Sequence, residues 1–114
     1  MVGVAILGTG RLGGRYIDVV DQTPRAELKL VAEPRSDAAA PWEDQYPDVE
    51  FVNDYHVALD RDDVDIVIAT LPHWLHYQAG LDAVRAGKHV FLEKPLALSS
   101  AEGREMIDAA VASG

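Results

Sequence analysis

The sequence predicts an α/β protein built as a doubly wound parallel sheet, three layers deep in the order helix, sheet, helix. Three observations predict it. Apolar runs rich in β-branched residues alternate with longer amphipathic stretches along the chain. The first and fourth of these runs are near-continuous, which fits strands covered on both faces. The first run then breaks into three glycines at the spacing G-x-G-x-x-G before a helical pattern begins. Strands alternating with helices pair in parallel through right-handed crossovers, which places helices on both faces of the sheet.

Taken in order, Val2–Leu7 (Val-Gly-Val-Ala-Ile-Leu) reads as the first strand. A helix is expected from Arg11 to about Gln22, with Leu12, Ile17, Val19 and Val20 as its apolar positions, ending before Pro24. Leu28–Glu33 reads as the second strand. Residues 37–46 have helical character, but Pro41 lies inside them, so the helix is expected to begin near Ala40 or to break there. Glu50–Asn53 reads as a short third strand, followed by a helical turn or two over residues 54–59. Val64–Thr70 is the expected fourth strand. His73–Ala86 is the next helix, closed by Gly87 as its C′ residue. Lys88–Leu92 reads as a fifth strand and Ser99–Ala112 as a last helix, capped by Ser99 or Ser100 with Glu102 or Glu105 near its positive end.

The bulk properties narrow the function classes. At 114 residues the chain is long enough for one hydrophobic core, and its 48% hydrophobic and 25% charged residues match a globular protein. The formal net charge of −9 argues against nucleic acid or an anionic membrane as partner. No run of 18 apolar residues suggests a spanning helix, and no signal-like segment precedes the first strand. With no cysteine there is no disulfide framework, thiolate nucleophile or thiolate metal site, and cytoplasm is the expected compartment. The surplus of Asp and Glu over lysine suits a high-salt cytoplasm and equally a plain acidic surface. An anionic ligand must therefore be met by local positive groups: Arg11, Arg15, Arg35, Lys94 and helix N-termini.

The stretch Gly8-Thr9-Gly10-Arg11-Leu12-Gly13 is the strongest candidate for such a meeting. Gly8 allows a sharp turn off the first strand, Gly10 lets a pyrophosphate approach the backbone, and Gly13 permits close helix–strand packing. The amides of Arg11, Leu12 and Gly13 and the helix dipole would face the phosphates, which makes the fold Rossmann-type. Glu33 lies 20 residues after Gly13, at the end of the second strand. A carboxylate there can accept hydrogen bonds from a ribose diol and repel a 2′-phosphate, so NAD is expected in preference to NADP. Arg35 could instead stack on adenine or hold a 2′-phosphate, which leaves NADP open.

Two further segments fall on the same sheet edge. Thr70-Leu71-Pro72 follows the fourth strand and is placed to pass along the ribose and nicotinamide. His73 and His76 share a helix face, but without cysteine and with only Glu93 as a third candidate ligand no metal is expected. His76 is read as lining the cleft or bonding the backbone. Glu93-Lys94-Pro95 follows the fifth strand. The Lys94 ammonium would reach into the crevice to polarise a carbonyl or bind a hydroxyl, Glu93 would orient it or bind ribose, and Pro95 would rigidify the turn.

These residues resemble the N-terminal NAD(P)-binding domain of the Gfo/Idh/MocA oxidoreductases, the family of glucose–fructose oxidoreductase and inositol dehydrogenase. The resemblance runs over residues 2–114 and rests on Gly8–Gly13, Glu33, Thr70-Leu71-Pro72 with His76, and residues 86–95, which read A-G-K-H-V-F-L-E-K-P. Glu33 stands where aspartate is more usual, and Leu71 stands where the family pattern T-P-x-x-x-H has proline, with Pro72 one place later. The resemblance implies NAD(P)-dependent oxidation of a secondary alcohol on a sugar, inositol or polyol, with Lys94 matching the active-site lysine. It also implies that the substrate-binding surface lies in a C-terminal domain absent from this chain, which therefore reads as a truncated enzyme, inactive alone. An uncovered sheet edge would favour a homo-oligomer. A non-catalytic NAD-binding sensor of the same fold, and an unrelated Rossmann dehydrogenase or reductase, are the alternatives.

Overall fold

The computed structural model describes residues 1–95 and 97–114. Among the described residues ten elements alternate: β1 (Val2–Leu7), α1 (Arg11–Asp21), β2 (Ala26–Ala32), α2 (Ser36–Gln45), β3 (Glu50–Val52), α3 (His56–Asp60), β4 (Ile66–Ala69), α4 (His73–Arg85), β5 (His89–Leu92) and α5 (Ser100–Ser113). The strands form one parallel sheet in the order β3-β2-β1-β4-β5. The chain leaves β1 outward through β2 and β3, then crosses back to place β4 on the other side of β1. That reversal beside β1 is the topological switch point of a doubly wound fold, and it opens a crevice at the carboxyl ends of β1 and β4.

Each sheet face has its own core, and the alternation along β1 shows how. Val4 and Ile6 point to one side and pack with Val31, with Ile17 and Val20 of α1, and with the half-buried Trp42 of α2 and Tyr46 just past its end. Ala5 and Leu7 point to the other and pack with Leu30, Val67, Ala58 of α3, and Ala79 and Ala83 of α4. Residues 4–7 of β1 and all of β4 are therefore apolar, as strands with two covered faces require, whereas β2 carries Glu27 and Lys29 in its first half and is buried only from Leu30 onward. Along α4, α5 buries Met106 against Gly80. No helix is long and apolar enough among the described residues to cross a membrane.

The expected element around Pro41 needs correction. The second helix neither starts at Ala40 nor breaks; it runs unbroken from Ser36 to Gln45 with Pro41 inside it. Proline removes the amide that would bond the Asp37 carbonyl. Both residues are exposed, so water can take that carbonyl, while buried Ala39 and half-buried Trp42 and Tyr46 hold the helix to the sheet. Elsewhere the differences lie at element ends. The second strand begins at Ala26 and stops at Ala32, leaving Glu33 just beyond it, and the fourth spans only Ile66–Ala69. Gly87 follows α4 at φ +81°, the left-handed geometry of a C′ glycine, and the Ser99 hydroxyl caps α5 by accepting from the Glu102 amide.

Candidate functional site

Four strands deliver their next residues to one edge of the sheet. The ladder continues one step past the strands: the Gly8 amide donates to Ala32 O, Thr70 to Leu7 O, Glu33 to Val52 O and Glu93 to Ala69 O, all at 2.8–3.1 Å. Gly8, Glu33, Thr70 and Glu93 thus form one row, 85 residues deep in sequence and contiguous in space.

The three glycines of the turn are required for different reasons. Gly8 sits at φ +95°, and a Cβ there would lie 2.7 Å from the Thr70 carbonyl oxygen. A Cβ on Gly13 would lie 2.0 Å from the Gly8 carbonyl oxygen and 2.6 Å from Thr70 Oγ1, with rigid backbone on one side. Gly10 is different. Its φ of −65° is open to any residue, and nothing lies within 4 Å of a Cβ built there. The protein's own packing explains Gly8 and Gly13 but does not ask for glycine at position 10. Beside it, α1 begins with the amides of Arg11, Leu12 and Gly13, which have no carbonyl one turn back, while Gly14 N–H already donates to Gly10 O at 3.1 Å. Thr70 supports the turn from below, its hydroxyl 3.0 Å from Gly8 O and 3.3 Å from Leu7 O.

A cleft of about 310 Å³ lies over this turn. Gly8 and Gly10 form part of its wall, Glu33 and Arg35 stand on one side, and Pro72 and Leu75 on the other. Glu33 is buried and accepts from the Thr9 amide and hydroxyl and from the backbone and guanidinium of Arg35. Burial alone would raise its pKa; the Arg35 and Thr9 hydrogen bonds outweigh that and bring it from 4.5 to about 2.

The other end of the crevice is tied down from behind. His76 is fully buried at the first turns of α4. Its Nε2 accepts the Leu71 amide at 3.1 Å and its Nδ1 lies 2.8 Å from the Pro95 carbonyl oxygen, so the neutral tautomer with a proton on Nδ1 satisfies both contacts. One imidazole therefore joins the Thr70-Leu71-Pro72 loop to the Glu93-Lys94-Pro95 turn. From the opposite face of the sheet, the Tyr16 hydroxyl of α1 donates to Glu93 Oε2 at 2.7 Å, and its ring packs edge-on against Phe91 at 5.6 Å. That hydrogen bond, with burial, raises the Tyr16 pKa. The Lys94–Pro95 bond is cis. Lys94 is exposed and forms no ion pair or hydrogen bond among the described residues.

The sequence-predicted residues Gly8, Gly10, Gly13, Glu33, Arg35, Thr70, Leu71 and Pro72 come together around the cleft. The backbones of Arg11 and Leu12 open α1 beside it, and Leu12 is partly exposed. Glu93 and Lys94 follow β5, one strand beyond β4. His76 lies behind the loops, with both ring nitrogens taken by the chain itself. Sequence reasoning missed two participants. Thr9 sits inside the glycine pattern, where only the glycines draw notice. Tyr16 lies one helical turn after Gly13, and an aromatic residue there reads as core.

Comparison with known proteins agrees with this geometry. Residues 2–114 match the model of an oxidoreductase family, GFO_IDH_MocA, described as an NAD-binding Rossmann fold. The scyllo-inositol 2-dehydrogenase (NADP(+)) of Bacillus subtilis is 31% identical over 111 residues, which cover 94% of this chain and 29% of that protein. The crystal structure of GenD2 from gentamicin A biosynthesis, in complex with NAD, superposes with a TM-score of 0.93 at 28% identity, covering 99% of this chain and 32% of that one. Biliverdin reductase from Synechocystis, solved with biliverdin and NADP+, superposes with a TM-score of 0.94 at 29% identity, covering 99% and 35%. The chain thus spans about a third of the length of these relatives.

Proposed function

The chain belongs to the Gfo/Idh/MocA oxidoreductase family, and from that premise we propose that it is the dinucleotide-binding part of an enzyme that transfers hydride to and from a secondary alcohol of a sugar, inositol or related polyol. The observation that carries the reading is the open space at Gly10. A glycine in an ordinary conformation, lining a cleft and with nothing within 4 Å of where a Cβ would stand, leaves room for something that must approach the backbone closely. A pyrophosphate fits that room, because the free amides of Arg11, Leu12 and Gly13 and the positive end of α1 surround it.

The residues divide the work along the sheet edge. Glu33 and Arg35 stand at the adenosine end, with Pro34, Pro72 and Leu75 offering apolar walls to a flat ring. Thr70, Leu71 and Pro72 carry the backbone past the ribose toward the nicotinamide end. When bound, the cofactor supplies a nicotinamide carbon that accepts or donates hydride. Lys94 would hold the substrate hydroxyl and take part in moving its proton, while Glu93, steadied by Tyr16, sets where the lysine stands. His76 keeps the two loops at fixed separation. The substrate-binding surface is proposed to lie on a C-terminal part beyond these 114 residues.

Titration with NADH, read by quenching of Trp42 and Trp74, tests the premise. Saturable binding is expected in the wild type. In Gly10→Val it should be lost while the far-ultraviolet dichroism is kept and stability falls by no more than about 1 kcal/mol, the scale of an N-cap preference. Unchanged NADH affinity in a folded Gly10→Val would remove the phosphate-cradle reading.

A further inference from the structure

The two edges of the sheet are finished differently. β3 is three residues long and opens on Glu50, which pairs with Arg61 at 3.6 Å. A short, charged strand resists further pairing. β5, at the other edge, has no charged residue and no proline within His89–Leu92, and its Phe91 is 49% exposed. Its ladder to β4 uses the His89 and Glu93 amides, which donate to Asp65 O and Ala69 O. The alternate amides and carbonyls, those of Val90 and Leu92, therefore point outward, with no hydrogen-bond partner among the described residues.

Apolar surface flanks this open edge on both faces. Val90 and Leu92 turn toward α4 and α5, where with Gly80, Met106 and Ile107 they line a cleft of about 200 Å³. Ile107 and Val111 of α5 are exposed beside it. His89 and Phe91 turn to the opposite face, where Tyr16 packs on Phe91 and donates to Oε2 of Glu93. Oε1 of Glu93 accepts no hydrogen bond among the described residues.

We propose that β5 pairs antiparallel with β5 of a second copy of this chain, joining two five-stranded sheets into one continuous sheet. The register that pairs both outward residues of both strands sets Val90 opposite the partner's Leu92. Phe91 then faces the partner's Phe91 across the twofold axis, in a non-hydrogen-bonded pair with Cα atoms about 4.5 Å apart. At both ends His89 stands opposite the partner's Glu93, an imidazole facing an open carboxylate oxygen. Each chain carries a net charge of −9, yet no like charges meet along the paired strands. The match is self-complementary, ring on ring, Val on Leu and imidazole on carboxylate, and that selects a second copy over a strand of other sequence. Each Glu93, beside Lys94, gains a neighbour from the other copy.

Sedimentation equilibrium of the 114-residue chain and its variants tests this. Between about 1 μM and about 1 mM, the range suited to a small interface, the wild type should follow one monomer–dimer equilibrium. His89 is exposed, and His89→Glu sets glutamate against the partner's Glu93 twice, so the dimer should weaken about tenfold or more. The chain has no cysteine, so Phe91→Cys carries a single thiol. Mild oxidation should link it into a covalent dimer, because the two Cα atoms lie within disulfide range, whereas Asp44→Cys, exposed on α2, should not crosslink. A wild type that stays monomeric throughout that range, leaving the edge to a strand of other sequence, overturns the proposal. So does a dimer that His89→Glu leaves unchanged, or equal crosslinking through positions 91 and 44. Should Phe91→Cys fail to fold, the exposed His89→Glu still decides.

Discussion

The two ends of the crevice are built on opposite plans. Around the glycine turn the backbone touches itself: Gly13 lies under Gly8, Gly8 lies against Thr70, and Glu33 reaches in to hold Thr9. Around β5 the backbone is held at a distance by side chains from two helices, His76 of α4 and Tyr16 of α1, and Lys94 stands outside both. The first end is fixed by steric fit, which fails sharply. The second is fixed by hydrogen bonds, which fail by degrees. A site that must grip a constant ligand part and present a reactive group to a variable one is served by this division.

The sharpest way to break the contrast is Gly13→Ala. The added methyl would sit 2.0 Å from a backbone oxygen that cannot rotate away, so α1 must lift from the sheet. Overpacking of this kind is expected to cost about 3 kcal/mol in urea unfolding. Gly10→Val adds a larger side chain three residues earlier and should cost far less, because its space is empty. If the two variants lose similar stability, steric fit does not distinguish the glycines and the contrast falls.

Acid titration probes the same end through charge. The Glu33 pKa lies near 2 in the folded chain, against 4.5 unfolded. A depressed carboxylate contributes stability that is fully present above pH 4.5 and is lost as the pH falls toward 2. The shift corresponds to ~3 kcal/mol for this buried group. Glu33→Gln lacks the linkage, so the stability gap between wild type and variant should close over that window. A constant gap from pH 6 down to 2.5, measured by urea unfolding, would show that Glu33 carries no such charge-dependent brace.

Much of this fold was legible in the sequence, and the reasons differ by feature. The order and type of the ten elements among the described residues follow from apolar runs, glycines and caps, because those signals are local; the course of one of them does not. The helix through Pro41 was not legible, since tertiary packing of Trp42 and Tyr46 overrides a local rule. The row Gly8, Glu33, Thr70 and Glu93 could be read because each residue follows a strand, and strand ends in a parallel sheet share an edge. What those residues touch could not be read. Glu33 sits where a ribose partner is expected, yet its direction depends on Thr9 and Arg35. The clamps link residues 19 and 77 positions apart, and no periodicity reports a single long-range hydrogen bond.

The smallest expected effect belongs to the hydrogen-bonded end. Tyr16→Phe keeps the ring against Phe91 and removes only the bond to Glu93, which is partly solvent-accessible. The expected loss is about 1 kcal/mol, the net value of one such bond. Its pH dependence identifies the cause. Glu93 raises the Tyr16 pKa above 10.0, so the bond contributes fully below pH 10 and is lost as the pH rises through the folded-state value. The gap between wild type and Tyr16→Phe should therefore be flat near neutrality and shrink in alkali. A gap that persists unchanged in alkali would assign the loss to ring packing, and the β5 end would then be held by fit in the same manner as the glycine turn.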